Sequence, residues 1–471
     1  MKEFLFEDIA GCFGAHPVRI VKSAFPHTGV VGAVLRRDDD LDLILELTSR
    51  EQRREAPLHY PAGTVRRVDE EIEFAHTAGW SSRARGVISR GYQSRWTFDG
   101  SHERTETYSA QSIEVRLRSD VPAAYVVEWI LNIPDGLVWT EPVHFHGVET
   151  LTKLVGAGDS EVRITQSFRS GGGNRALYLR VADVDLYVMR SNEPDSQGRN
   201  PGQIVYRGIP DQTFRDKVRV CLSFVLGKQI VYLGHTEYDE NWHSAFMRSV
   251  DAHTINGAVF KLPDQPPYPI NQPRYANIID QRQVGIIVNA LMERFEAIRL
   301  NELAWCYWYA MCAPIHVTAI HFGSLIERLQ TSASMIIELR KELLEQDIWK
   351  ELHGVIRQWL AVATLDPAAR RILQGKVGAL NQAPPSLILQ RLLESLGLGI
   401  GEVELRAWKE RNLAAHGGIL DRPGEIILNS KILRLLFHRL LAGLTYCSDR
   451  YIDYYSLEHP VRAIAEGIPS R

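Results

Sequence analysis

The sequence predicts an α+β protein: a large β-rich N-terminal domain, sandwich- or barrel-like, followed by an all-α helical bundle. Three observations predict it. In the first half, apolar residues alternate or run in strand-length stretches between turn residues. Five prolines (Pro263, Pro266, Pro267, Pro269, Pro273) then cluster between two differently patterned regions. Beyond them the apolar period lengthens from two to about three and a half. At 471 residues the chain exceeds one ordinary core. The expected division is a β-rich domain over 1–262, a proline-rich linker over 263–275 and a helical domain over 276–471.

Taken in order, 29–35 and 41–47 read as a hairpin around Asp38, Asp39 and Asp40. The acidic triplet reads as a solvated turn, because metal ligands must converge from more than one segment. Further strands are expected over 86–92, 112–117, 124–133, 162–168, 175–188 and 218–233, with turns at Pro134-Asp135-Gly136, Gly171-Gly172-Gly173 and Asn200-Pro201-Gly202. Trp80, Trp96, Trp129 and Trp139 are expected in this domain's core.

In the helical half, one stripe runs through Val284, Ile287, Val288, Leu291, Phe295 and Ile298. A second takes Ala319, Phe322, Leu325, Ile326 and Leu329, with Ile336, Leu339, Leu343 and Leu344 extending or following it. Trp349, Ile356, Trp359 and Leu360 suggest another helix, and Leu387 to Leu396 one more, ended by Gly397 and Gly399. A helix over 402–416 follows. The last, strongly apolar, runs from about 429 to 446 with Asn429 or Ser430 as its N-cap.

The bulk numbers exclude several classes. Net charge is −3, so nucleic-acid contact requires a local basic patch. Five scattered cysteines without a CxxC pair suggest neither a disulfide framework nor a zinc ribbon, and fit reduced thiols in a cytoplasm. No signal peptide, membrane span, Walker loop or dinucleotide fingerprint is read, and no cofactor is expected. His144, His146 and Glu149 form a weak metal set, since no partner motif with a further His follows.

The segment that carries chemistry is 410–418, Glu-Arg-Asn-Leu-Ala-Ala-His-Gly-Gly. Arg-x4-His occurs three times, at Arg54–His59, Arg248–His253 and Arg411–His416. The first contains Pro57, which bars a regular helix. The second falls in the β-rich half. Only the third lies in a predicted helix of the helical domain, before a glycine stop. Asn412 and His416 are one turn apart on one face, so the amide can fix the imidazole tautomer. Arg411 starts about 140° round the helix, with a side chain long enough to reach the same cleft. Arginine and histidine near a helix C-terminus, followed by glycine, are also what an ordinary helix end favours. Trp408, on the same face, is placed either to stack on a base or to fill the bundle. Lys431, Arg434, His438 and Arg439 on the last helix can line an RNA groove or form a solvated face.

The Arg411-Asn412…His416 pattern resembles the active-site motif of HEPN ribonucleases. A β-rich N-terminal domain before such a bundle resembles the ApeA family of bacterial anti-phage proteins; the motif helix carries the specific part, the bundle over about 276–460 the diffuse part. The resemblance implies a homodimer in which two motifs share a cleft, metal-independent cleavage of RNA (tRNA being one candidate) by 2′-OH transesterification, and abortive infection. It implies Arg411, Asn412 and His416 as catalytic residues and a β domain that answers a phage-derived trigger; the candidate RNA contacts, read from their positions, are Trp408, Lys431, Arg434 and Arg439. The other reading is a non-catalytic binding or dimerisation protein whose β domain recognises a protein or carbohydrate.

Overall fold

The computed structural model describes residues 6–14, 18–23, 29–50, 71–77, 79–96, 102–117, 122–144, 149–155, 162–168, 172–191, 195, 197–273, 275–411 and 423–469. The chain is α+β, with an antiparallel β-rich region before a helical one. It divides into two units: Met1–Pro266 with Ile270–Asn289, and Pro267–Pro269 with Ala290–Arg471.

In the first unit, period-two alternation builds an eleven-stranded antiparallel sheet among the described residues. Its order is Val18–Ser23, Glu71–His76, Ser81–Arg85, Ser112–Arg116, Ser244–Val250, Val231–Tyr238, Tyr125–Leu131, Pro201–Arg207, Val184–Arg190, Gly172–Val181, Glu141–His144. A second sheet orders Val30–Arg37, Leu43–Arg50, His102–Ala110 and Ile88–Trp96. The expected first hairpin is present, with Leu35 opposite Leu45. Asp38 closes its turn by accepting the backbone N–H of Asp40 (3.2 Å) and Asp42 (2.9 Å), while Asp39 and Asp40 stay exposed. Arg37, at the end of the hairpin's first strand, reaches the large sheet. Its guanidinium donates to Leu233 O (2.8 Å), Ser249 Oγ (2.7 Å) and Val250 O (2.8 Å). Burial lowers its pKa to about 10.

The expected strand over 218–233 is corrected. Gln212–Leu226 is a helix (α2; α1 is Phe6–Gly14), and only Val231–Tyr238 is strand. Asp211 caps α2 through Phe214 N (2.7 Å), and Gly227 ends it at φ 68°. Its last turns are buried on every side, so their apolar run lacks the alternation that marks a half-exposed helix. Trp129 and Trp139 are buried as expected; Trp80 is half-buried, and the Trp96 side chain lies outside the described residues.

The second unit takes the last turn of α3 (Gln281–Arg294), then α4 (Leu300–Cys312), α5 (Ile315–Ala333), α6 (Gln346–Val362), α7 (Pro367–Ala379), α8 (Pro385–Ser395), α9 (Glu402–Glu410) and α10 (Pro423–Thr445). The core centres on α10, buried all round from Ile432 to Thr445 and packed on α5 and α9. That helix starts earlier than its sequence suggests, at Pro423, with Asn429 and Ser430 inside it. Residues 336–344 do not extend α5, which ends at Ser334, whose hydroxyl turns back onto Thr331 O (2.7 Å). Nor is the unit all-α: Arg450–Ile452 pairs with Val461–Ala463. The proline-rich stretch is not a free tether. Tyr268 is fully buried and donates to His438 O (3.0 Å), and Pro267 O accepts Ile452 N (3.1 Å).

Candidate functional site

Arg411 is the last described residue of its segment and the C-cap of α9, still in helical conformation (φ −53°, ψ −32°). Asn412 and His416 lie outside the described residues. A continuous apolar and ionic framework positions α9. Val403, Ala407 and Trp408 bury one face. Glu404 accepts Gly401 N (2.7 Å) and Ile468 N (3.3 Å) and forms a fully buried ion pair with Arg439 of α10. Arg439 also donates to Ile464 O (2.9 Å) and Gly399 O (2.6 Å). At the other end of α9, Glu410 accepts Asn429 Nδ2 (2.9 Å). The helix is thereby fixed at both ends before Arg411 emerges.

The Arg411 side chain is mostly covered. Its guanidinium carbon stands 3.8 Å from the Trp408 ring centroid, Nη1 donates to Trp408 O (2.6 Å), and Nη2 pairs with Glu327 of α5 (2.7 Å). Gly323, one turn before Glu327, makes the room: a Cβ there would stand 2.6 Å from Arg411 Cδ. The cation is therefore compensated and stacked, and a phosphate must compete with Glu327 for it. Arg406 and Lys409 on α9, and His321 and Arg328 on α5, are exposed.

The expected RNA contacts fare unevenly. Lys431 is exposed. Trp408 is buried, a pedestal under Arg411 with no open face for a base to stack on. Arg439 is fully buried with Glu404, and Arg434 is buried against Met311 Sδ (3.5 Å) and over Tyr454 (5.2 Å). His438 is fully buried, with Nε2 3.0 Å from Tyr307 Oη. Apart from Lys431, the polar residues of α10 that suggested a groove thus face the interior, because this helix is surrounded by the others from Ile432 onward. Sequence reading missed Glu327 and Gly323. The signal for Gly323 is its place in a strong helical stripe, where glycine costs about 1 kcal/mol unless something passes close by.

The first unit holds two other polar constellations. Glu128, on the central strand Tyr125–Leu131, is fully buried. It forms an ion pair with Arg219 of α2, lies 3.7 Å from Arg215 and accepts Tyr206 Oη (3.2 Å). Nearby, Tyr232 Oη meets His235 Nδ1 at 2.6 Å, and burial lowers the His235 pKa. Elsewhere, a recess of about 440 Å³ is lined by Asp39, Asp40, Asn132, Arg199, Asn256 and Phe260, among others. The set expected around His144, His146 and Glu149 cannot be assembled, since His146 and the other two side chains lie outside the described residues; among the described residues no three His, Cys, Asp or Glu could hold a metal. Among them, too, no helix is long and apolar enough to cross a membrane.

No protein-family model matches the chain, and neither the curated proteins nor the solved structures contain a match.

Proposed function

We propose that the protein is a metal-independent endoribonuclease of HEPN type, working on RNA in the cytoplasm. The observation that carries this reading is Arg411. It emerges from the end of a rigidly anchored helix in the helical unit, with its guanidinium on Trp408 and against Glu327, immediately before the Asn412…His416 stretch that the chemistry needs. Exposed Arg406, Lys409 and Lys431 near that helix end in sequence or on its neighbour supply local positive charge despite a net charge of −3.

In this mechanism the His416 imidazole takes the ribose 2′-OH proton, and the 2′-oxygen attacks the adjacent phosphorus. Arg411 neutralises the phosphate oxygens as charge builds, and Asn412 holds the imidazole tautomer. The 5′-oxygen leaves with a proton from a second acid, which the His416 of a second copy supplies. Products are a 2′,3′-cyclic phosphate and a 5′-hydroxyl. In a bacterial cell such cleavage, of tRNA for instance, would halt translation, with the β-rich unit answering a phage-derived trigger.

The test is cleavage of end-labelled RNA in EDTA by the full chain. We expect cyclic-phosphate ends, and a fall of about 10²–10⁴-fold in His416→Ala with an unchanged melting temperature. Full cleavage by that variant sinks the assignment. One observation favours a second reading, of a non-catalytic binding protein. The recess beside Asn132 and Phe260 offers carboxylates, amides, a guanidinium and an aromatic ring, groups that suit a carbohydrate. Saccharide binding without RNA cleavage would favour it.

A further inference from the structure

Helix α6 is apolar around nearly half its circumference, and only part of that surface is used. Trp349, Ile356 and Leu360 turn inward, and Leu360 is its one buried residue. Ile348, Leu352, Val355, Trp359 and Val362 form a second stripe, spaced 4-3-4-3 on one face, and all five are exposed. Val355 is 61%, Trp359 62% and Val362 82% exposed, values far from those of core residues. Helix α6 packs on α7, and a short connection joins them, capped by Asp366 and held by Arg370 donating to Ala363 O (2.9 Å). At the root of this helical arm, Leu343 N donates to Asn381 O (2.8 Å) and Ala383 N to Lys341 O (2.8 Å). On α7 and at its end, Ile372, Leu373 and Leu380 are exposed as well.

We propose that this arm pairs with the same arm of a second copy, α6 against α6, antiparallel about a twofold axis through Val355. Three features of the arm select that occupant. The stripe is self-complementary: with Val355 on the axis, Ile348 lies against Val362 of the second copy and Leu352 beside its Trp359, the isologous arrangement a twofold demands. The flanking charges select the direction. Glu351 and Gln358 border the stripe on one side, so antiparallel pairing sets the carboxylate across from an amide, and it also sets the two helix dipoles head to tail. The area is of the right order. The five residues alone expose on the order of 600 Å² per copy, most of the roughly 800 Å² per partner in a standard stable interface. The polar face of α6 (Asp347, Lys350, Glu351, Arg357) is not the Lys-rich face of a membrane-surface helix.

The nuclease reading also needs a second copy, but the arm argument stands without it. The test uses the full chain with single cysteines introduced on the stripe; none of the five native cysteines is exposed. Under mild oxidation Val355→Cys should give a covalent dimer. Ile348→Cys alone should not, but should cross-link when mixed with Val362→Cys protein. Val355→Asp should shift the sedimenting species from dimer to monomer at micromolar concentration. Self-cross-linking of Ile348→Cys, a wild type that stays monomeric, or Val355-dependent flotation with anionic phospholipid vesicles each overturns the proposal. RNA cleavage is read in parallel. A wild-type monomer whose cleavage depends on His416 would remove arm pairing and the second-copy acid but keep the nuclease, and a Val355-linked dimer that never cleaves RNA would remove the nuclease alone.

Discussion

The Arg411 guanidinium sits 3.8 Å from the centre of the Trp408 indole, three residues earlier on the same helix. One side chain thus satisfies the cation's face, a backbone carbonyl one of its edges, and Glu327 another. The arrangement holds the guanidinium stacked and charge-compensated. It makes Glu327, on a different helix, a competitor of any anionic ligand.

The first prediction tests that competition. Glu327→Gln keeps an acceptor near Arg411 but removes the opposing charge. Glu327 is about half exposed, so the gain is modest, near 1 kcal/mol or about fivefold tighter RNA binding at fixed salt. Arg411→Lys should lose the effect, because an ammonium lacks the planar stack and fork. Filter binding of both variants at two salt concentrations checks it; equal affinities in wild type and Glu327→Gln would show that Glu327 does not compete.

A second prediction concerns Glu128. It is the buried counter-charge for Arg219 and stands near Arg215, both on α2. Glu128→Gln leaves two buried cations without their buried anion, with only the half-exposed Asp216 carboxylate paired to Arg219. A loss of about 3–5 kcal/mol is expected, read as a lower urea midpoint.

The third is a pH dependence. Burial, and secondarily the charge of Arg434, holds the His438 pKa well below the ordinary histidine range. The folded chain therefore keeps this ring neutral where the unfolded chain, near pH 6.5, takes up a proton. Its contribution is fully present above about pH 6.5 and falls by about 1.4 kcal/mol per pH unit below it, until the folded pKa is reached. Urea melts at pH 7.5, 6.5 and 5.5 should show the slope, and His438→Gln should flatten it. His235 adds a decline of the same sign in the β-rich unit.

The fourth prediction is steric. Gly227 has φ 68°, and a Cβ there would stand 2.1 Å from the backbone of Gln265 and Pro266. Gly227→Ala should cost about 3 kcal/mol or more, from the left-handed backbone plus the overlap. Gly136→Ala, with nothing within 4 Å, should be close to neutral in the same melt.

The legible parts of this chain are those where one face is wet. The Asp38–Asp40 hairpin and the α5 stripe could be read because exposure on one side imposes a period. The start of α10 could not, because Pro423 and Gly424 open it and Asn429 and Ser430 are common caps, so it read as a shorter helix. The last turns of α2 could not either, because full burial erases the period, and they read as a strand. For the same reason Arg434 and Arg439 looked like a solvated face: a cation's sequence position does not reveal the carbonyls and the Glu404 carboxylate awaiting it. Arg411 could be singled out as a candidate site residue from its helix-end context. Its partners Glu327 and Gly323 were not, since nothing local links α5 to the end of α9.

The root of the α6–α7 arm has one more consequence. Because Leu343 and Asn381 are hydrogen-bonded neighbours there, as are Lys341 and Ala383, the chain leaves and re-enters the helical unit at almost the same point. The intervening residues therefore behave as a cassette: they could be excised and replaced by a tight turn with little change to the path of the chain on either side, so that assembly and whatever chemistry occurs at Arg411 are open to separate modification, in the laboratory and in evolution alike.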